Sequence, residues 1–204
     1  MEITMGRINL KGGALLSPVP PVMVSCGTME KPNIITVAWC GTLATHPPVT
    51  YISVRPTRYS YGLIKDSGEF VINLTNESLV RHADFCGIYT GAKVDKFKKC
   101  GLTPEISENV SCPSVAESPL RIECKVRQIV PLGSHDMFVA DIVSVSVDEA
   151  ILDENGKICL DRAHLAAFAH GEYYALGKKL GDFGFSVKKK KKKSKYPKEQ
   201  EKKV

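Results

Sequence analysis

The sequence predicts a mainly β domain, a barrel or sandwich of about seven strands with a few short helices. Two long alternating runs carry this reading: Leu120, Ile122, Cys124 and Val126 share one face, and Val143, Val145 and Val147 another. Short apolar or β-branched runs separated by turn residues recur through the first half of the chain. The strand–helix–strand alternation of a parallel sheet is missing, and Gly177, Gly181 and Gly184 do not form a dinucleotide fingerprint after a strand.

Residues 1–21 hold Gly12, Gly13 and prolines 18, 20 and 21, so they read as an extended lead-in. Strands are expected at 22–26, 33–39, 49–54 and 69–74, the third ended by Arg55-Pro56. A short helix is expected at 59–65 with Thr57 as N-cap, and another at 77–85 with Asn76 as N-cap. A further helical patch covers 94–99. The two long runs read as antiparallel strands joined by a turn at 131–136. A short late strand at 158–160 follows the turn at 153–156, and 163–180 reads as short helix and loop.

The chain has 204 residues, 43% of them hydrophobic and 25% charged, an ordinary globular composition that needs no disulfide or metal to hold a core. The net charge of +6 comes from a tail: residues 188–204 carry ten lysines and two glutamates, leaving a net of −2 over 1–187. The chain therefore divides into a domain at 1–187 and a disordered, Lys-rich tail at 188–204. The domain has no basic bias toward nucleic acid, and no specific nucleic-acid partner is expected. The tail suits solubility, or else weak contact with nucleic acid, anionic lipid or an acidic redox partner, and it carries no base-reading information. No apolar run reaches the roughly 20 residues of a membrane span, so no membrane partner is expected either. The stretch 14–24 makes a poor secretion signal, because prolines interrupt it and no basic run precedes it. The seven cysteines are odd in number and contain no CxxC pair; reduced thiols in a cytoplasm, and no metal site, are the expectation.

Four stretches give the site its first outline. Asn33-Ile34-Ile35-Thr36-Val37-Ala38-Trp39-Cys40-Gly41 is one. The second begins at His46-Pro47-Pro48, passes through Ser53-Val54-Arg55-Pro56 and Arg58-Tyr59-Ser60-Tyr61, and ends at Gly68 to Leu74. Gly133-Ser134-His135-Asp136 is the third, and Gly171 to Gly177 with Gly181 to Ser186 the fourth. In this order and spacing they resemble the flavin reductase-like FMN-binding split barrels, most closely the flavoredoxin branch, over residues 15–187.

The resemblance implies a six-stranded antiparallel split barrel that forms a homodimer and binds FMN near the interface. It implies a flavoprotein oxidoreductase of the NAD(P)H:flavin reductase type. The alternative is a flavoredoxin-like electron carrier reduced by a protein partner. In either case the acceptor is a protein or a small molecule. A pyridoxamine-phosphate-oxidase-like role shares the barrel, but nothing in the residues favours it.

An FMN site needs donors for a phosphate and a flat apolar berth for the ring. Ser53, Val54, Arg55, Thr57, Arg58, Tyr59 and Ser60 match the first need, following a strand and opening a helix. The alternative is that the two arginines are solvated surface groups. Asn33, Thr36, Val37, Ala38 and Trp39 match the second, although Asn33 equally suits shaping the turn and a lone tryptophan is also an ordinary core residue. Tyr89 and Lys93 fall in a loop that the family folds over the flavin. His135 resembles the family's Gly-Asp-His histidine near nicotinamide and flavin, and is the candidate catalytic residue. Here Ser134 replaces the aspartate, leaving Asp136 as the candidate carboxylate to orient the ring.

Overall fold

The computed structural model describes residues 6–187. The predicted Lys-rich tail lies outside them. Among the described residues, eleven strands and three α-helices follow one another. They are β1 (Val22–Gly27), β2 (Pro32–Val37), β3 (Cys40–Thr45), β4 (Pro48–Val54), α1 (Tyr59–Ser67) and β5 (Glu69–Asn73), then α2 (Val80–Ile88) and α3 (Lys96–Cys100). The short pair β6 (Pro104–Glu105) and β7 (Ser114–Val115) precedes the long hairpin β8 (Leu120–Pro131) and β9 (Asp136–Val147), and the hairpin β10 (Ala166–Ala169) and β11 (Glu172–Ala175) closes the domain.

The main sheet is antiparallel throughout, in the order β2-β1-β5-β8-β9-β4-β3. It has seven strands where the resemblance implied six. The strand not expected from the sequence is the edge strand β3, whose Gly41, Thr42 and Thr45 leave no apolar alternation because neither face is deeply buried. The sheet curls on itself. The Ser53 amide of β4 donates to the Trp39 carbonyl at 2.8 Å, one residue before β3, so the β3–β4 ladder runs on to the exit of β2, and β2 lies against β4.

Inside the curl, Val22, Val24 and Cys26 of β1 meet Ile52, Phe70, Ile72, Cys124 and Phe138, with Ile64 of α1 filling the mouth. The other face of β1 is covered too. Met23 and Ile34 pack against Leu79, Ala83, Cys86 and Phe97 from the α2–α3 region. Strand β1 is thus buried on both sides, which is why it reads as a continuous apolar run. Full burial of a phenylalanine such as Phe70 or Phe138 contributes about 1.5–3 kcal/mol.

Three local expectations are corrected. Thr57 does not cap α1: the N-cap is Arg58, which makes no side-chain cap, and the helix ends at Gly68 with φ +68°. Residues 158–160 form no strand, only a bridge between Leu152 and Ile158 before a 3-10 turn at Leu160–Ala163. The segment expected as helix and loop contains the β10–β11 hairpin, bridged to Val19 of the lead-in. Its run Ala166-Ala167-Phe168-Ala169 is rich in helix-forming alanine, and strand pairing overrides that preference. Asn76 caps its helical segment as expected, its side chain accepting from the Leu79 amide at 3.1 Å.

Candidate functional site

A groove runs from the N-terminus of α1 to the exit of β2 in two compartments that share Ile35, Arg55 and Arg58. The first, about 190 Å³, is basic: Arg55, Arg58 and Lys96 converge there with the hydroxyl groups of Thr57, Ser60 and Thr90. The second, about 330 Å³, lies between Thr36 to Trp39 on one side and Ser53, Val54 and His135 on the other.

The basic compartment is built for an anion. The start of α1 presents backbone N–H groups that no side chain caps, and uncapped amides at a helix start attract negative charge. Lys96 forms the floor. It is buried, and its ammonium donates to the carbonyls of Ile34 at 2.6 Å and Cys86 at 2.7 Å. An ammonium has three donors, so one is left for a ligand. Burial is the largest cause of a Lys96 pKa below the usual lysine value, and the Arg58 charge pushes the same way. A phosphate in this compartment would offset both effects. Burial raises the Cys86 thiol to about 12, so it lines the compartment as a neutral group.

A buried brace shapes the same wall. The Asn33 side chain donates to Ser60 Oγ at 2.7 Å and to Cys26 Sγ at 3.4 Å. Gly91 packs against it so closely that an added Cβ would meet Asn33 Oδ1 at 1.9 Å and Tyr59 at 2.8 Å. Only glycine fits there.

In the ring compartment, β2 is an edge strand paired only to β1. Every second residue of such a strand turns its N–H and C=O outward, available to the heteroatoms of a flat ring. The Thr36 hydroxyl donates to the Ala83 carbonyl, tying β2 to α2. The Trp39 indole is 38% exposed at the compartment's rim.

His135 stands at the far wall. Its Nδ1 lies 2.9 Å from Ser134 Oγ. Asp136 is committed elsewhere, its Oδ2 accepting from the Tyr61 hydroxyl at 2.6 Å. The serine, not the neighbouring carboxylate, therefore orients the ring, contrary to expectation. Burial first, then Arg55 and Arg58, hold the His135 pKa below the usual histidine value, so the imidazole is neutral at pH 7.

Thirteen of the predicted residues line one compartment or the other: Thr36, Val37, Ala38, Trp39, Ser53, Val54, Arg55, Thr57, Arg58, Tyr59, Ser60, Tyr89 and His135. Two do not. Asn33 and Lys93 line a neighbouring depression on the other side of Gly91, and Asn33 acts through Ser60. The sequence reading misses Ile35, Cys86, Gly87, Thr90, Gly91 and, above all, Lys96. Its stretch, Lys96-Phe97-Lys98-Lys99, reads only as a short, lysine-rich helical patch. Only the adjacent Phe97 hints that one side is buried. Among the described residues, no cluster of three or more His, Cys, Asp or Glu side chains is placed to hold a metal ion. Among the same residues, no helix is long and apolar enough to cross a membrane.

The curled antiparallel sheet thus carries one groove with a basic compartment at one end and an open-edged compartment at the other. The sequence pattern described as "Flavin reductase like domain" matches residues 15–177, and the chain belongs to that family. Within it, the chain falls in the flavoredoxin branch. It is similar to the flavoredoxin of Desulfovibrio vulgaris (Miyazaki F), with 34% identity, TM-score 0.84, and 90% of this chain and 100% of that one covered. A flavoredoxin from Methanosarcina acetivorans shares the fold at 22% identity and TM-score 0.81, over 90% of this chain and 100% of that one. An uncharacterised protein of Archaeoglobus fulgidus is 33% identical over 138 residues, 68% of this chain and 77% of its own length.

Proposed function

We propose that the chain is an FMN-dependent oxidoreductase that takes electrons from NAD(P)H and passes them to an acceptor. The observation that carries this reading is the two-part groove, whose basic end matches a flavin phosphate and whose open-edged end matches the flavin ring. The flavin, when bound, supplies the two-electron redox chemistry, and the protein supplies binding, orientation and electrostatics. Arg55, Arg58 and the third donor of Lys96 bind the phosphate, with Thr57, Ser60 and Thr90 adding neutral hydrogen bonds. Thr36 to Ala38 hold the ring edge with backbone groups. Trp39 excludes water from the berth. His135, neutral and held by Ser134, offers Nε2 as a hydrogen-bonding group toward the nicotinamide.

The second reading is an electron carrier charged by a protein. The similarity to the Desulfovibrio flavoredoxin favours it. Anaerobic addition of NADH and NADPH to the flavin-loaded protein separates the two: bleaching within seconds supports the reductase. A flavin that dithionite reduces and NAD(P)H does not supports the carrier.

The working form is a homodimer. Leu43 on β3 and Val143 and Val145 on β9 are 50%, 40% and 49% exposed, apolar surface of the kind a second copy covers. Sedimentation or light scattering reads the oligomeric state.

A further inference from the structure

Two thiols that the proposed flavin chemistry leaves unused meet between α2 and α3. Cys86 lies on the buried side of α2, and Cys100 is the last residue of α3. The Cys86 thiol donates to the Cys100 sulfur, and both pack with Leu79, Ala83 and Phe97. The two differ in access. Cys86 is 0% exposed and lines the basic compartment. Cys100 is half-buried and lines a further cavity of about 370 Å³, beside Arg81, His82 and Phe85. A small oxidant that enters this cavity meets Cys100 first.

Lys96 links the pair to the groove. It stands four residues before Cys100 in α3, so the two share one helix face. Its ammonium donates to the Cys86 carbonyl at 2.7 Å. Burial raises the Cys100 thiol, while the hydrogen bond from Cys86 and the Lys96 charge both favour its thiolate. Cys100 is therefore the attacking sulfur and Cys86 the resolving one.

We propose that Cys86 and Cys100 form a reversible disulfide under hydrogen peroxide, and that closing it weakens FMN binding by displacing Lys96. The inference rests on the basic compartment holding a flavin phosphate. The Cys100 thiolate attacks one peroxide oxygen, the O–O bond breaks, and Cys100 becomes a sulfenic acid. The hydroxide released takes up the thiol's proton and leaves as water. The Cys86 sulfur then attacks the Cys100 sulfur, the S–O bond breaks, and the displaced hydroxyl leaves with the Cys86 proton as a second water. Two thiols lose two electrons, and one peroxide becomes two waters.

A disulfide holds its sulfur atoms about 2.05 Å apart, well inside hydrogen-bond contact, so one helix must give. Helix α2 is pinned to β2. The Thr36 hydroxyl donates to the Ala83 carbonyl, and a Cβ added at Gly87 would come within 3.4 Å of Thr36. Helix α3 has five residues and ends at Gly101 with φ +67°. It is α3 that moves, and it carries Lys96 off the Ile34 and Cys86 carbonyls.

The test treats the flavin-free full chain with hydrogen peroxide and removes the excess. Free thiols are counted, disulfides are mapped by peptide mass, and FMN is titrated by its fluorescence. Seven free thiols are expected to fall to five, with residues 86 and 100 linked. FMN binding should weaken about tenfold and recover with dithiothreitol. Coupling is reciprocal, so saturating FMN should lower the disulfide-to-dithiol ratio by the same factor in a dithiothreitol redox buffer. Cys100→Ser, outside the FMN groove, should bind FMN as the unmodified chain does and keep that affinity after peroxide. Three results each overturn this inference alone: no disulfide between 86 and 100, a mapped disulfide with FMN affinity unchanged, or an equal loss of affinity in peroxide-treated Cys100→Ser. An untreated chain that binds no FMN overturns the proposed function, and this inference with it.

Discussion

Replacing Lys96 by methionine separates ligand binding from folding at the base of the groove. The buried ammonium donates to the Ile34 and Cys86 carbonyls and keeps one donor facing the basic compartment. A hydrogen bond from a charged donor contributes about 1.5–3 kcal/mol, so losing the one to phosphate weakens FMN by about 10- to 150-fold. Riboflavin lacks the phosphate, and its affinity should change by less than about threefold. Folding stability should move little, within about 1 kcal/mol. The variant strands two carbonyls but also removes a charge that was costly to bury, and the two effects oppose each other. Parallel fluorescence titrations with FMN and riboflavin, plus a urea melt of the flavin-free protein, read all three quantities. If FMN and riboflavin weaken equally, Lys96 acts through the fold and not through the phosphate, and the reasoning fails.

Other predictions follow from the same geometry. Gly91→Ala forces a Cβ into Asn33 Oδ1 and Tyr59, so it should cost about 1–3 kcal/mol in a denaturant melt and weaken FMN as Ser60 loses its brace; a neutral result would contradict the close packing. Asn73 is wholly buried and bonds Met23, Ser25, Val71 and Val115, so Asn73→Ala should destabilise by about 2–4 kcal/mol without altering the FMN-to-riboflavin ratio. His135 has a folded-state pKa below its ordinary value, so its neutral form adds stability that is present above about pH 6.5 and lost as pH falls through the folded-state pKa. Binding FMN offsets Arg55 and Arg58 and should raise that pKa. A histidine NMR titration with and without FMN that shows no upward shift would place the phosphate elsewhere. Asp136→Asn should disturb the Tyr61 contact and stability more than turnover, whereas Ser134→Ala should change the pH profile of turnover; the reverse pattern would restore the carboxylate as the orienting group.

The strands that bury a face were legible in the sequence, because alternation at 120–126 and the solid apolar run of β1 report directly on which sides meet the core. Strand β3 was not legible, since an edge exposed on both faces imposes no pattern. The late hairpin was hidden for a related reason: its alanines suit a helix, and only pairing with Val19 and with its own partner strand selects the extended form. The groove was largely legible where contiguous segments build it, as in Thr36 to Trp39 and Ser53 to Ser60. It was illegible where distant segments converge. Lys96 reaches the site because α3 docks on β2, and no local signal distinguishes it from Lys98 and Lys99, which face solvent. Asp136 misled by proximity in sequence: it opens β9 and is taken by the Tyr61 hydroxyl, whereas His135 stays in the turn before the strand with Ser134.

The central claim is that the groove binds a flavin by its phosphate. Its most direct test is a visible-absorption titration of the flavin-stripped chain with FMN, beside an Arg55→Ala/Arg58→Ala variant. The account predicts one FMN per chain, a resolved flavin spectrum shifted from that of free FMN, and binding at least about 100-fold weaker in the variant from the loss of two charge-assisted contacts. A chain that takes up no FMN, or one that binds it equally well without the two arginines, would contradict the account.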